Sequence, residues 1–262
     1  MDLSKAKHAF VTGGASGLGL AIADALAARG LKVTLADIQP DLIEAVLAAR
    51  DERYRGAVLD VRDREGWARA KAEAEAAFGP VDVLVNNAGI APNGQHFADM
   101  SPDSFDMILA INLVGVVNGV FAFAADMRER GFGHIVNTAS QAGLSVSAPG
   151  VGAYAVAKYG VVALSEGSRK ELAPHGVGVS ALCPGWVPTG LGENTARIGG
   201  KLSAGGHGGV PPTEISADEL AAMVIDGIER DAAYIMTHKG TWAQVEPRMA
   251  AIREACELRT QG

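Results

Sequence analysis

Short apolar runs alternate along the chain with longer stretches in which alanine and leucine recur at helical spacing. The apolar runs are nearly continuous, as strands are when both faces of a sheet are buried. Their alternation with helices predicts an α/β fold with one doubly wound parallel sheet of about seven strands and helices on both faces. The predicted strands are His8–Thr12, Lys32–Ala36, Arg55–Leu59, Val81–Asn86, Gly133–Ser140, Gly178–Cys183 and Tyr234–Thr237.

The predicted helices fill the intervals between these strands, and no linker of changed composition divides the chain. Residues 1–262 are therefore predicted to form a single domain. The predicted helices are Gly17–Arg29, Pro40–Arg50, Arg64–Phe78, Pro102–Arg130, Gly152–Pro174, Ala217–Arg230 and Thr241–Leu258.

The segment 187–215 departs from this alternation. It follows a predicted strand and contains eight glycines between Gly190 and Gly209, followed by Pro211 and Pro212. Long loops in compact domains usually carry function, and ligands of open α/β sheets bind beyond the carboxyl ends of the strands. The segment is therefore predicted to be a substrate-binding lid, with an idle surface insertion as the alternative.

Composition narrows the class of protein. Glycine accounts for 33 of 262 residues without a collagen period, which indicates local use where the backbone turns tightly or approaches a ligand. The net charge of −7 lacks the basic character of a nucleic-acid-binding protein. The sequence contains no uninterrupted apolar stretch of about 18 residues, so no membrane span is predicted.

Other features bear on the compartment and on metals. The first ten residues have no apolar segment of a secretory signal. Cys183 and Cys256 are far apart and form no disulfide framework, which is typical of a reducing cytoplasm. The six histidines are scattered without metal-ligand spacing, so no metal site is predicted.

A glycine-rich segment, TGGASGLG at 12–19, joins the first predicted strand to the first predicted helix. Its glycines allow close backbone approach to an anion, and the helix start offers free N–H groups and a positive dipole end. No Gly-Lys-Ser/Thr follows, which argues against a P-loop nucleotidase. In this strand–turn–helix context the segment predicts a site for a dinucleotide pyrophosphate.

Asp37 ends the second predicted strand, where an acid would meet the hydroxyls of an adenosine ribose. A carboxylate at this position repels a 2′-phosphate. No arginine or lysine stands in the glycine-rich segment or directly after Asp37. The pattern predicts NAD rather than NADP, and the alternative is that Asp37 is an ordinary turn residue.

Tyr154 and Lys158 lie four positions apart, on one face of a predicted helix. A tyrosine pKa is about 10, and a neighbouring ammonium lowers it by stabilising the phenolate. Ser140 ends the fifth predicted strand, where its hydroxyl could hold a substrate oxygen beside the tyrosine. Asn112 is a polar residue in an apolar stretch, with either a structural hydrogen bond or a water relay as its role. The alternative for Tyr154 and Lys158 is a solvated helix face.

With these motifs the sequence resembles the short-chain dehydrogenase/reductase family over nearly its whole length. The resemblance implies a Rossmann-like fold, a nicotinamide cofactor and an oxidoreductase that interconverts a secondary alcohol and a ketone. It is carried by TGGASGLG at 12–19, Asp60-Val61, NNAG at 86–89, Asn112, Ser140, Tyr154-x-x-x-Lys158, Pro184-Gly185 and Thr189.

The resemblance also implies a role for each matching residue. Tyr154 would exchange a proton with the substrate oxygen, Ser140 would hydrogen-bond that oxygen, and Lys158 would lower the tyrosine pKa and bind the nicotinamide ribose. Asn112 would hold a water and complete a catalytic tetrad. The expected cofactor contacts are Gly13, Ser16, Gly17, Leu18, Gly19, Asp37, Ile38, Asp60, Val61, Asn86, Ala88, Gly89, Tyr154, Lys158, Pro184, Gly185, Val187 and Thr189.

The substrate is less sharply defined. The segments Asp60–Gly79, Phe105–Gly119 and Tyr234–Thr237 are similar to family members that oxidise benzylic alcohols of lignin-derived aryl ethers. A hydrophobic or aryl secondary alcohol is therefore expected, and hydroxysteroids and aliphatic alcohols stay open. The spacing from Ser140 to Tyr154 is a residue longer than is common in the family, within Gln141–Gly152. The expected substrate contacts are Ser140, Gln141, Tyr154, Trp186 and Leu191.

Two other functions use the same cofactor fold. A non-catalytic NAD(H)-sensing regulator would more naturally lack Tyr154 or Lys158, and an extended-type epimerase usually has a larger substrate domain than 262 residues provide. The resemblance further implies a homotetramer or homodimer formed through the helices predicted at 102–130 and 152–174 and the C-terminal segment.

Overall fold

A seven-stranded parallel sheet runs through the computed structural model, which describes residues 1–197, 199–200 and 215–258. The strand order is β3-β2-β1-β4-β5-β6-β7, so the order reverses between β1 and β4. The strands are β1 (His8–Thr12), β2 (Lys32–Asp37), β3 (Tyr54–Val58), β4 (Val83–Asn86), β5 (Gly133–Thr138), β6 (Val177–Cys183) and β7 (Tyr234–Met236).

Burial on both faces explains why the central strands have continuous apolar sequences. Every residue of β1, β4 and β5 is buried. Register places Val11 of β1 between Leu35 of β2 and Val85 of β4. The doubly wound parallel sheet predicted from the sequence is confirmed.

Helices cover both faces of the sheet. Helices α1 and α8 pack together over one apolar core, and α3, α5 and α6 enclose the other. The helices are α1 (Gly17–Ala28), α2 (Pro40–Leu47), α3 (Arg64–Phe78), α4 (Pro102–Leu109), α5 (Gly115–Arg130), α6 (Gly152–Leu172), α7 (Leu191–Arg197), α8 (Ala217–Glu229) and α9 (Thr241–Glu257).

The helix predicted over Pro102–Arg130 is interrupted by a π-helical turn at Ala110–Val114. Asn112 lies in this turn, is fully buried, and forms two hydrogen bonds with the backbone of Ile90. Its Oδ1 accepts from the Ile90 N–H at 2.7 Å, and its Nδ2 donates to the Ile90 carbonyl at 3.0 Å. The widened turn therefore occurs where Asn112 bonds to the loop after β4. A helical pattern in the sequence does not predict this bond.

By length and composition alone, the run Pro102–Arg130 could cross a membrane, with a mean hydropathy of 2.1 in its most apolar window. Half of that window is buried inside the fold. In this structure α5 packs against β4 and α3, and α4 packs against α6, so the run is a pair of helices packed into the fold.

Helix α7 lies inside the segment 187–215 that is predicted to be an irregular lid. Residue 198 and residues 201–214 of that segment lie outside the described part of the chain. Thr195 of α7 is almost fully buried; its hydroxyl donates to the Leu191 carbonyl at 2.7 Å and accepts from the Ala91 N–H at 3.0 Å. The helix is thus held by a partner distant in sequence, which explains why the glycine-rich pattern did not predict it.

Candidate active site

A cavity of about 1070 Å³ opens at the carboxyl ends of the strands, on both sides of the point where the strand order reverses. Ligands of open α/β sheets bind at such a switch point. Most of the residues expected to bind cofactor or substrate line it. They are Gly13, Ser16, Gly17, Leu18, Asp37, Ile38, Asp60, Val61, Ala88, Gly89, Ser140, Gln141, Tyr154, Lys158, Pro184, Gly185, Trp186, Val187, Thr189 and Leu191.

Three of the expected site residues lie behind the cavity wall instead of in it. A Cβ on Gly19 would lie 2.1 Å from the Gly13 carbonyl oxygen, so Gly19 lets helix α1 pack against the glycine-rich turn. Asn86 is buried, and its Nδ2 donates to Oδ1 of Asn137 at 2.9 Å across the sheet. Asn112 bonds to Ile90, as described above, so its structural role is the one that the geometry shows.

The glycine-rich turn has the backbone that an anion cradle needs. Gly13 and Gly17 have φ angles of +61° and +52°, a region that favours glycine. A Cβ on Gly13 would lie 3.0 Å from Cα of Ala88, and a Cβ on Gly17 would lie 2.7 Å from the Thr189 carbonyl oxygen. Ser16 precedes helix α1 without a side-chain bond to it, so the first N–H groups of the helix keep their capacity to bind an anion.

Asp37 lies at the end of β2 on the cavity wall. Its carboxylate accepts hydrogen bonds from the N–H groups of Ala15 at 3.3 Å and Gln39 at 3.1 Å. Burial raises the pKa of Asp37, and these backbone hydrogen bonds oppose that rise. The carboxylate is therefore fixed in place as a hydrogen-bond acceptor beside the glycine-rich turn.

Arg62 is a cavity residue that the sequence reasoning missed. Its guanidinium pairs with the carboxylate of Asp60, with 2.6 Å between Nη2 and Oδ2, and this hydrogen bonding lowers the pKa of Asp60. Both residues line the cavity. The expected cofactor contact at Asp60 is thus a carboxylate held by an arginine two positions later in the chain.

Tyr154 and Lys158 come from helix α6, and Ser140 lies just after the end of β5, at the start of the 3₁₀ helix Gln141–Gly143. Burial raises the pKa of Tyr154 to about 12, and a hydrogen bond with Ser140 acts in the opposite direction. Ser140 Oγ also accepts the Ala142 N–H at 3.1 Å, which orients the hydroxyl. The three side chains expected to perform the chemistry therefore meet in one cavity.

Burial outweighs the expected lowering of the Tyr154 pKa by Lys158 in this structure. The Lys158 ammonium donates to the Thr138 carbonyl at 2.8 Å and lies 5.5 Å from the centroid of the Tyr154 ring, over its face. Burial lowers the pKa of Lys158 to about 8. Desolvation of both side chains dominates because α6 packs directly on the sheet.

Helix α7 also contributes residues to the cavity wall. Nδ2 of Asn194 donates to Oγ of Ser16 in the glycine-rich turn at 2.9 Å. Together with the Thr195 bond to Ala91, this contact joins α7 to both sides of the cavity. Other lining residues without a local sequence signal are Ile90, Ala91, Pro92, Met107, Ile111, Ser147, Val151, Glu193, Arg197 and Gln244.

A parallel sheet with an anion cradle at its switch point, and with a serine, a tyrosine and a lysine in the same cavity, defines a dinucleotide-dependent oxidoreductase class. Residues 7–197 match the family model for short chain dehydrogenases. The chain belongs to the short-chain dehydrogenase/reductase family, as the sequence motifs predict.

Relatives and solved structures agree with this membership. The chain is 32% identical to a C alpha-dehydrogenase of Sphingobium sp. over 259 residues, covering 93% of this chain and 84% of the relative. It is 35% identical to levodione reductase of Leifsonia aquatica over 242 residues, covering 86% and 88%. A short-chain dehydrogenase/reductase from Burkholderia phymatum, solved in complex with NAD, has 31% identity, 97% coverage of each chain and a TM-score of 0.86.

Proposed function

We propose that this oxidoreductase uses NAD to interconvert a secondary alcohol and a ketone, and that its substrate is a hydrophobic or aryl (benzylic) alcohol. The observation that carries the proposal is the meeting of Ser140, Tyr154 and Lys158 in a cavity whose far end is formed by Asp37 and the glycine-rich turn. The NAD complex of the Burkholderia phymatum relative supports the choice of a nicotinamide cofactor.

The residues present fit a nicotinamide dinucleotide. The left-handed glycines and the free start of α1 suit a pyrophosphate, and the fixed carboxylate of Asp37 suits the hydroxyls of the adenosine ribose. When bound, the nicotinamide would supply the acceptor or donor of the hydride. Lys158 would hold the nicotinamide ribose, and Pro184, Gly185, Val187 and Thr189 would border the ring.

Tyr154 acts as the general acid/base. With a pKa of about 12, its hydroxyl is protonated at neutral pH and can donate to a ketone oxygen. Alcohol oxidation requires the reverse transfer, so the phenolate must be stabilised by the Ser140 hydrogen bond and by the positive charge of Lys158. Ser140 also donates to the substrate oxygen, where charge develops. The use of NAD favours the oxidative direction in cells.

The substrate end of the cavity is largely apolar, which supports a hydrophobic substrate. Trp186 and Leu191, two expected substrate contacts, line it together with Ile111 and Val151. The similarity to a C alpha-dehydrogenase supports an aryl secondary alcohol.

The test is reduction of NAD or NADP, followed by NADH or NADPH absorbance, with a panel of aryl, steroid and aliphatic secondary alcohols. Turnover of an aryl alcohol with NAD would support the proposal. Turnover of only a steroid or an aliphatic alcohol would replace the proposed substrate class by that one and leave the reaction type unchanged. Complete silence combined with tight NADH binding would favour a non-catalytic sensor of NAD(H).

Ketone reduction is expected to lose kcat/KM as the pH rises through about 8, where Lys158 loses its proton. Tyr154 keeps its proton up to about pH 12, so its own titration lies far above the pH at which this loss of kcat/KM occurs. Because kcat/KM reports groups of the free enzyme, the pH profile measures this directly. Lys158→Arg keeps its charge at higher pH. An unchanged limb near pH 8 in the residual activity of that variant would contradict the assignment.

Self-association is a further part of the proposal. Phe121 on α5 is 67% exposed and Val156 on α6 is 45% exposed, so each helix presents an apolar side chain to solvent. We expect a homotetramer or a homodimer formed through these helices. Light scattering should give a multiple of the 27.0 kDa chain mass, and Phe121→Glu should shift it towards the monomer.

Two smaller parts complete the proposal. Helix α7, which bonds to both sides of the cavity, would act as the lid over bound cofactor and substrate. A cytoplasmic location is supported by Cys183 and Cys256, which are both free thiols.

A further inference from the structure

Gln141 follows Ser140 and is held from two directions. Its backbone N–H donates to the Pro184 carbonyl at 2.9 Å, at the start of the short 3₁₀ helix Gln141–Gly143. Its side-chain Nε2 donates to Oγ1 of Thr241 at 2.7 Å. Thr241 is the first residue of helix α9 and is 7% exposed. A residue 100 positions away in the chain therefore fixes the side chain beside the catalytic serine.

The hydrogen-bond network decides which end of the Gln141 amide meets Thr241. The Thr241 hydroxyl donates its only proton to the His238 carbonyl at 2.8 Å, because a carbonyl can only accept. Oγ1 must then accept from Gln141, so the NH₂ end of the amide faces Thr241. The Oε1 end is left on the opposite side.

Oε1 of Gln141 lies at the cavity wall. It is 3.0 Å from the position that a Cβ on Gly185 would occupy, and both residues line the cavity. Within the ranges 1–197, 199–200 and 215–258 no hydrogen bond to Oε1 is present, although Nε2 is satisfied. The amide therefore presents a fixed acceptor next to Ser140 at the cavity wall.

We propose that Oε1 of Gln141 recognises a second hydrogen-bond donor on the substrate, so that the preferred substrate is a secondary alcohol with a hydroxyl group close to the carbinol carbon. Thr241 is a positioning residue, since it fixes the amide orientation without touching the substrate. The inference rests on the proposed function, because it names the substrate class of the same site. A binding-site acceptor that pairs with a substrate hydroxyl disfavours a substrate analogue without that hydroxyl, because the acceptor is then left without a hydrogen bond.

The test uses pairs of substrates in which a methyl group replaces one hydroxyl. One pair is phenylglycol and ethylphenylcarbinol, and the other is vicinal cyclohexanediol and vicinal methylcyclohexanol. Wild type should prefer the diol of a turned-over pair by about tenfold in kcat/KM, the value of one added hydrogen bond. Gln141→Leu should bring the ratio close to one, whatever its effect on the absolute rates.

Thr241 supplies the variants that separate recognition from general damage. Thr241→Val keeps the side-chain shape but removes the acceptor for Nε2, so the amide can turn over and the diol preference should fall. Thr241→Ser restores the hydroxyl and should restore the ratio. A merely structural role would change both members of a pair equally and leave the ratio unchanged.

The outcomes separate this inference from the proposed function. Turnover of the mono-alcohols with a wild-type diol ratio near one would overturn the inference and leave the proposed function standing. A ratio that Gln141→Leu and Thr241→Val leave unchanged would also overturn it. Silence with every alcohol and ketone would overturn the proposed function, and the inference with it.

Discussion

Tyr154→Phe is expected to lower kcat by about 10³-fold or more, since removal of a general acid/base typically costs about 10²–10⁴-fold. The substitution removes only the phenolic hydroxyl, which is the group that exchanges a proton with the substrate. NADH binding should be nearly unchanged, because the aromatic ring at position 154 stays in place on α6 and the glycine-rich turn is not altered. Steady-state kinetics and NADH fluorescence titration measure the two effects.

Tyr159 provides a matched control in the same helix. Its ring lies 5.1 Å from the guanidinium of Arg248, and it is not among the residues that line the cavity. Tyr159 is half-buried, and since Tyr159→Phe removes only a hydroxyl away from the cavity, turnover should stay within about twofold. Near-normal turnover of Tyr154→Phe, or an equal loss in both variants, would refute the role of Tyr154.

Asp37→Asn is expected to reduce the preference for NAD over NADP by about 10²-fold in kcat/KM, close to the cost of two like charges in contact at a partly buried site. The substitution keeps the shape of the side chain and an oxygen for the Ala15 N–H, and it removes the negative charge that repels a 2′-phosphate. The kinetic constants for both cofactors at a saturating alcohol concentration give the ratio directly.

Asp41 offers the control for net charge. It lies in the first turn of α2, is exposed, and does not line the cavity. Asp41→Asn changes the chain charge by the same amount, so it should leave the cofactor ratio unchanged. A wild type that already prefers NADP, or an equal shift in both variants, would rule out Asp37 as the discriminating residue.

Much of the fold could be predicted because its signals are local. Continuous apolar runs indicated all seven strands, and helix α3 has the predicted bounds of Arg64–Phe78. One bound that differs has a local cause in the structure. Strand β5 ends at Thr138 instead of Ser140, since Ser140 leaves the sheet to cap the next turn through its bond to Ala142.

The sequence predicted which residues come together at the site more completely than it predicted how they are arranged there. The motifs indicated the cavity wall from Gly13 to Thr189, because each motif ends a strand or begins a helix at one edge of the sheet. They did not separate residues that face the cavity from those behind it. Asn86 and Asn112 were assigned to cofactor and chemistry, and in the structure both lie behind the cavity wall, where their side chains bond to Asn137 and to the Ile90 backbone.

The sequence by itself determined the sheet, the glycine-rich turn and the side chains of the proposed reacting centre, since periodicity and short motifs depend on near neighbours. Only the tertiary structure decided the burial that sets the pKa values of Tyr154 and Lys158, and the contacts that fix α7. It also decided the orientation of the Gln141 amide, through Thr241. Desolvation and bonds between distant residues arise from packing, and they therefore have no signature in a local pattern.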